Sequence, residues 1–420
     1  MKRSFRRLAL ASLCLVLASG VAQARDLYRW VQYVPGGLEA RAVTDDAACP
    51  MAAIDGTASR MNERSAPDEI FPVRGCSLPI PKGVKLVTVA GVPVALPKER
   101  PNRILIVGDT GCRLKGAQVQ ACNDMTQWPF RLGADLGADF KPDLVLHVGD
   151  MHYRESDCPA GNLGCAGTPF GDTWAVWKED FFKPGEALLN AAPWLMVRGN
   201  HEECERGGKG WARTLDPYAF DANAGAAGCL GPKQPYSVDL GGLTIVMMDV
   251  STASEKVDEK QVAFYRPQFE LAKAIAGPVW MAFHRPIWAA DSYKNGKIEG
   301  DNKTLAAAAK GVVPDNVQAF FSGHHHTFEV MAYGADLPLQ IVSGHGGDDL
   351  SMNAPTKVIG MGVDGVTVTD GIGRPGIFGF SMIERDTAGS TGTKWFLTGY
   401  DVRGRALAIC KLDARDLSCR

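Results

Sequence analysis

From residue 103 onward, short apolar runs recur along the chain, and nearly every one ends in Gly, Asp, Asn or His. They are "RILIVGD", "DLVLHVGD", "PWLMVRGN", "LTIVMMD", "PVWMAFH", "VQAFFSGH" and "LQIVSGHGGDD". The runs are continuous rather than alternating, which predicts strands buried on both faces. Segments of helical character lie between them, including "TWAVWKEDFFKPGEALLNA" and "DEKQVAFYRPQFELAKAIA". Buried strands alternating with helices predict an α/β arrangement. Residues 25–100 differ: strand-like runs such as "KLVTVAGVPVALP" are punctuated by Gly and Pro, and no amphipathic helix stands out. "PKERPNR" (97–103) reads as a linker. The expected organisation is a small β-rich N-terminal region over 25–100 and one large domain over 101–420.

The first residues change the picture of where this chain works. Lys2, Arg3, Arg6 and Arg7 precede an apolar stretch from Leu8, and Ala22-Gln23-Ala24 supplies a small-x-small cleavage site. This pattern predicts a signal peptide over residues 1–24 and an exported product, periplasmic or secreted. The apolar stretch is too short for a membrane span, and nothing later approaches ~18 uninterrupted apolar residues, so no stable membrane anchor is expected. Cleavage would move the balance from 45 basic against 47 acidic residues to 41 against 47, a net charge of −6. With no basic run, a nucleic-acid backbone is not an expected partner. Cleavage also removes Cys14 and leaves ten cysteines, an even number that in an exported protein favours disulfides. Their clustering predicts Cys49–Cys76, Cys112–Cys122, Cys158–Cys165, Cys204–Cys229 and Cys410–Cys419.

In open α/β folds, ligands bind beyond the carboxyl ends of the strands. Those ends carry Asp109, Asp150, Tyr153, Asn200, His201, His284, His324 and His326. Carboxylate and imidazole together suit zinc or a first-row transition metal, whereas calcium and magnesium prefer oxygen alone. Setting His201 aside, seven donors exceed one tetrahedral site and match two metal ions sharing a carboxylate, the clamp used for in-line displacement at phosphorus. In an extended segment, residues i and i+2 face one way. His324 and His326 are therefore expected to face the site together, with His325 turned away as a packed or solvated side chain; a contact with substrate is the alternative for His325.

Taken in order, "GDTG", "GDMHY", "GNHE", "MAFH" and "GHHH" resemble the motifs of the calcineurin-like metallophosphoesterases, and more narrowly the purple acid phosphatases. The likeness runs from about residue 103 to 350. Many calcineurin-like enzymes begin with Asp-x-His; here Thr110-Gly111 follows Asp109, and Tyr153 fills the vacancy as in the purple acid phosphatase pattern. The resemblance implies a four-layer α/β/β/α sandwich. It implies one metal held by Asp109, Asp150, Tyr153 and His326, and a second held by Asp150, Asn200, His284 and His324, with Asp150 bridging. Fe(III) is the ion expected beside the Tyr153 phenolate, with Fe, Zn or Mn as its neighbour. His201 is placed beside a small phosphorylated substrate, as donor to a phosphoryl oxygen or general acid for the leaving group. The implied reaction is phosphomonoester hydrolysis by in-line attack of a metal-bound hydroxide.

Other residues carry less. His345 and Arg285 are candidates for contact with substrate, His147 reads as a satisfied strand histidine, and Asp249 reads as structural. Plant-type members of the family carry an N-terminal fibronectin-like domain; residues 25–100 are shorter and contain Cys49 and Cys76, so that domain is abbreviated or unrelated here. A phosphodiesterase acting on nucleotides or phospholipid head groups would use the same ligands. A non-catalytic phosphate- or metal-binding protein is the alternative from another class, opposed by the presence of His201 with the full ligand set.

Overall fold

A computed structural model of the chain describes residues 26–225, 228–290, 292–294, 297–299, 302–334, 336–363, 365–387 and 394–420. The expected signal peptide at 1–24 lies outside them. All seven apolar runs form strands. Arg103–Val107, Leu144–His147 and Trp194–Met196 are adjacent and parallel in an 11-stranded sheet. Thr244–Met247, Val279–Ala282, Val317–Ser322 and Leu339–Ser343 are adjacent and parallel in a 7-stranded sheet.

The continuity of the runs has a packing cause. Ile104, Ile106, Leu144 and Leu146 pack between the sheets against Ile245, Trp280, Phe321 and Ile341. Their neighbours Leu105, Val107 and Val145 instead pack beneath Phe130, Phe181 and Leu188 on the first sheet's outer face. On the second sheet, Val246, Met281 and Phe320 meet Tyr265, Phe269 and Leu305 in the same manner. Each strand thus serves two cores, and the order helix, sheet, sheet, helix follows.

The two helical segments are both interrupted. The first splits into Trp174–Trp177, a π-helical turn at Lys178–Phe182 and Glu186–Ala191, because Pro184 and Gly185 stand at the break. The second runs over Glu259–Glu270, with the Asp258 carboxylate accepting from Lys260 N and Gln261 N at its start, and tightens to a 3₁₀ turn at Leu271–Ala274.

Residues 25–100 are β-rich and share the large sheet. Leu27–Val34 lies parallel to Trp194–Met196, with Gln32 opposite Trp194. Gly37–Thr44, Arg74–Ile80 and Asn62–Ser65 extend the sheet outward from it. A four-stranded sheet built on Met51–Ile54 closes a separate small core with Ala42, Cys76 and Val87. Buried Arg41 and part-buried Arg64 donate to the carbonyls of Thr214 and Ala212 respectively, and both donate to Asp216 O. They tie the N-terminal strands to helix Gly208–Thr214, which follows the His201 loop. At the opposite edge, Gly379–Arg385 and the three strands after it complete the sheet in antiparallel order. The five disulfides are the five expected pairs. Among the described residues no helix is long and apolar enough to cross a membrane.

Candidate metal centre

Register places the polar residues at one rim. His147 stands opposite both Val107 and Met196, so the loops bearing Asp109, Asp150 and Asn200 leave the first sheet side by side. Ala282 stands opposite Phe321, which brings out His284 and His324 together from the second sheet. Asp109, Asp150 and His324 all have left-handed backbone, with φ of 55°, 60° and 70°. Such conformations are costly for non-glycine residues and concentrate at functional sites. The glycines beside them permit close approach: a Cβ on Gly199 would lie 2.1 Å from Asp150 Oδ1, and one on Gly323 would lie 2.4 Å from Asp109 Oδ2.

Two clusters of donors result, joined by Asp150. In the first, Tyr153 Oη lies 2.9 Å from Asp109 Oδ1, 2.9 Å from Asp150 Oδ2 and 3.1 Å from His326 Nε2. Burial and the Asp109 and Asp150 carboxylates hold the phenol well above its ordinary pKa. Burial opposes a charge on His326, but Asp348 and Asp109 outweigh it and raise the imidazole to about 9. In the second cluster, His284 Nε2 lies 3.0 Å from Asp150 Oδ2 and 3.1 Å from Asn200 Oδ1. Its Nδ1 lies 2.8 Å from Val148 O, which fixes the proton there and leaves Nε2 as the ligating nitrogen. Ligand atoms of Asp150, His284 and His324 all fall within 4.8 Å of one another. A largely buried set of two carboxylates, a phenol, an amide and three imidazoles, drawn together across Asp150, fits two cations with a shared oxygen ligand.

Several residues behind these clusters were not singled out from the sequence. The Glu202 carboxylate accepts from four backbone N–H groups: Gly199, Asp150, Met151 and His152, at 2.8–3.1 Å. Asp180 accepts from the backbone N–H of Cys112, Tyr153 and Arg154, and from the Arg154 side chain. One carboxylate therefore joins the Asp150 loop to the Asn200 loop, and the other joins the Asp109 loop to the Tyr153 loop. Glu202 had a local signal, being an acidic residue directly after the "GNH" motif. Asp180 had none, since it lies in a helical segment 27 residues past Tyr153.

His201 N donates to Asp150 Oδ1 at 2.8 Å, and its ring lies tilted against that of Tyr153, with centroids 3.8 Å apart. Its Nδ1 stands 2.6 Å from Glu155 Oε1, and Nε2 stands 4.0 Å from Asp150 Oδ2. Burial pushes the His201 imidazole down to about 3. Burial would raise Glu155, but His201 and Arg206 hold it down at about 2. His201, Asp150 and Tyr153 line a cleft of about 380 Å³ together with Arg113, Asn302 and the three consecutive histidines.

Two expectations need correction. His325 does not turn away; it lines the cleft beside His324 and His326. The strand ends at Ser322 and His324 is left-handed, so two-residue alternation does not apply to the triplet. His345 is fully buried with its ring 5.8 Å from Phe328, a core position that keeps it out of the cleft lining. Arg285 does reach the second cluster, with Nη1 3.4 Å from His324 Nε2. His147 is a satisfied strand histidine: Nε2 meets Thr110 Oγ1 and Nδ1 accepts from Gly149 N. Asp249 accepts from Arg198, Lys233 N and Ser251 N, a structural role.

A family model described as calcineurin-like phosphoesterase matches residues 102–328. The solved structure of purple acid phosphatase PPD1 from yellow lupin (Lupinus luteus) seeds aligns with a TM-score of 0.53 at 12% identity, over 90% of this chain and 72% of that one. The structure of PhoD aligns with a TM-score of 0.53 at 9% identity, over 94% of this chain and 91% of that one. At such identities the likeness is one of fold. Among curated proteins none matches the sequence.

Proposed function

The chain belongs to the calcineurin-like phosphoesterase family, a family of phosphoester hydrolases with a binuclear metal centre, and from that premise we propose that it is an exported phosphomonoesterase of the purple acid phosphatase type. The observation that carries the reading is the position of Asp150 Oδ2, 2.9 Å from Tyr153 Oη and 3.0 Å from His284 Nε2. One carboxylate oxygen serves both donor clusters. Asp109, Tyr153 and His326 would hold one cation with Asp150; Asn200, His284 and His324 would hold the other. The phenol favours Fe(III) in the first place, with Fe, Zn or Mn in the second. When bound, such a pair supplies Lewis acidity and an acidified water.

The chain's own side chains do the remainder. Glu155 and Arg206 orient the His201 ring, whose Nε2 lies 2.7 Å from Arg206 Nη2 and 4.0 Å from Asp150 Oδ2, for contact with a phosphoryl oxygen or the leaving oxygen. Glu202 and Asp180 keep the loops from separating as substrate enters. Arg285, beside His324, adds positive charge at the cleft's edge for an anionic phosphoryl group. The five disulfides fit an oxidising compartment, in keeping with the signal-like N-terminus.

Metal analysis and a visible spectrum of protein made in iron-replete medium test the centre. The expected result is two metals per chain, about one of them iron, with a phenolate charge-transfer band. Colourless, iron-free protein fully active with manganese would remove the purple acid phosphatase assignment. Faster turnover of a bis-aryl than of a mono-aryl phosphate would replace the monoester reading with a diester one.

A further inference from the structure

Arg113 lines the cleft beside the donor clusters. It leaves the first sheet four residues after Asp109, next to the Cys112–Cys122 disulfide. Its guanidinium lies 4.8 Å from the centroid of the Tyr153 ring. Its Nε lies 3.1 Å from each carboxylate oxygen of Asp348, and Nη2 also bonds Oδ2. Gln120 Oε1 accepts from Arg113 N at 3.0 Å, and Gln118 Oε1 accepts from Nη1 at 3.3 Å, so the fork is held from behind.

Asp348 is fully buried and works in two directions. Its backbone N–H donates to Asp109 O at 2.9 Å. Its Oδ2 stands 3.3 Å from His326 Nδ1, the nitrogen that also meets Asp349 O at 2.5 Å. One ion pair therefore touches Asp109 through its backbone, Tyr153 through its ring and His326 through the nitrogen facing away from the centre. The other half is held by different partners: Val148 O at His284 and Arg285 beside His324.

A guanidinium so near a cation centre would repel the cation if it stood alone. Asp348 cancels that charge, and the fixed fork leaves a positive face over the one ligand that must become anionic. A buried carboxylate bonded to the far nitrogen of a ligating histidine orients the ring and raises its basicity.

We infer that Arg113 and Asp348 are positioning residues for the tyrosine-bearing half of the centre, and that breaking the pair weakens the ion of that half selectively. The inference rests on the two-cation reading given above.

The test is zinc uptake by the full, disulfide-intact chain after chelation, followed by calorimetric titration of wild type, Arg113→Gln and Asp348→Asn. Wild type is expected to take up two ions. Each variant is expected to bind one ion as wild type does and the other about 10–100-fold more weakly. Arg113→Lys, which keeps the charge without the fork, should fall between wild type and Arg113→Gln. Tyr153→Phe should weaken the same ion, and adding Arg113→Gln to it should cost less than in wild type. If Arg113→Gln lacks a cooperative melt, the near-isosteric Asp348→Asn carries the test. Equal weakening of both ions, or of neither, overturns the inference. Uptake of a single ion by wild type overturns the two-cation reading beneath it.

Discussion

The imidazole Nδ1 of His201 stands 2.6 Å from Glu155 Oε1, although the two residues leave adjacent strands on separate loops. Glu155 is itself ion-paired with Arg206, whose Nη2 also lies 2.6 Å from His201 Nδ1 and 2.7 Å from Nε2, so the two side chains hold the ring together. His201→Ala is expected to retain both metals and lose about 10²–10⁴ in kcat. Glu155→Gln should lose less, because the ring remains but its orientation is no longer enforced by a charge. Steady-state turnover of an aryl phosphate, beside metal stoichiometry, checks both; unchanged kcat in His201→Ala would remove its catalytic role.

Metal uptake should release protons. In the metal-free protein His326 is raised to about 9 and the Tyr153 phenol lies above its ordinary pKa, so both carry a proton at neutral pH. Ligation requires both to be lost, and binding must therefore tighten as pH rises toward 9 and weaken in acid. Calorimetry at pH 7 in buffers of different ionisation enthalpy should show proton release, and Tyr153→Phe should reduce it. Buffer-independent heats would contradict the assignment of these two groups.

Glu202→Ala leaves four buried N–H donors without their acceptor. Each orphaned donor costs about 1–3 kcal/mol, so a loss of more than about 3 kcal/mol is expected in urea unfolding, with a lower affinity for both ions. A midpoint within error of wild type would show that other acceptors replace the carboxylate.

Gly199→Ala puts a methyl group 2.1 Å from Asp150 Oδ1 and 2.3 Å from Asp150 N. Overpacking of this kind costs about 1–3 kcal/mol. Because the displaced group is the shared ligand, metal binding should fall more than stability does. Parallel melts and metal titrations separate the two; a variant that is less stable yet binds two ions normally would show that the loop relaxes without moving the carboxylate.

Much of this architecture was legible in the chain. Continuous apolar runs mark strands packed on both faces, and Ile104 and Leu105 serving different cores shows why. The ligand types at the strand ends, and the order of their motifs, lead to Asp109, Asp150, Tyr153, Asn200, His284, His324 and His326 before any coordinates. The rest depends on contacts distant in sequence. Asp180 and Asp348 act through loops 27 and 22 residues from the ligands they steady, with no motif to mark them. The four strands from Gly379 onward carry no candidate chemistry, so they passed without notice. The histidine triplet misled because an apolar strand was assumed to continue where a left-handed residue already turns the chain. His345 resembles its neighbours in sequence, yet packing draws it into the core.

Three of the five disulfides begin within five residues of Asp109, Tyr153 or His201, at Cys112, Cys158 and Cys204. The stretch that supplies His284, His324 and His326 contains no cysteine. One jaw of the centre is riveted and the other depends on packing and hydrogen bonds. A thiol-rich medium would therefore loosen the Asp109, Tyr153 and His201 loops before the strand ends that carry the other histidines.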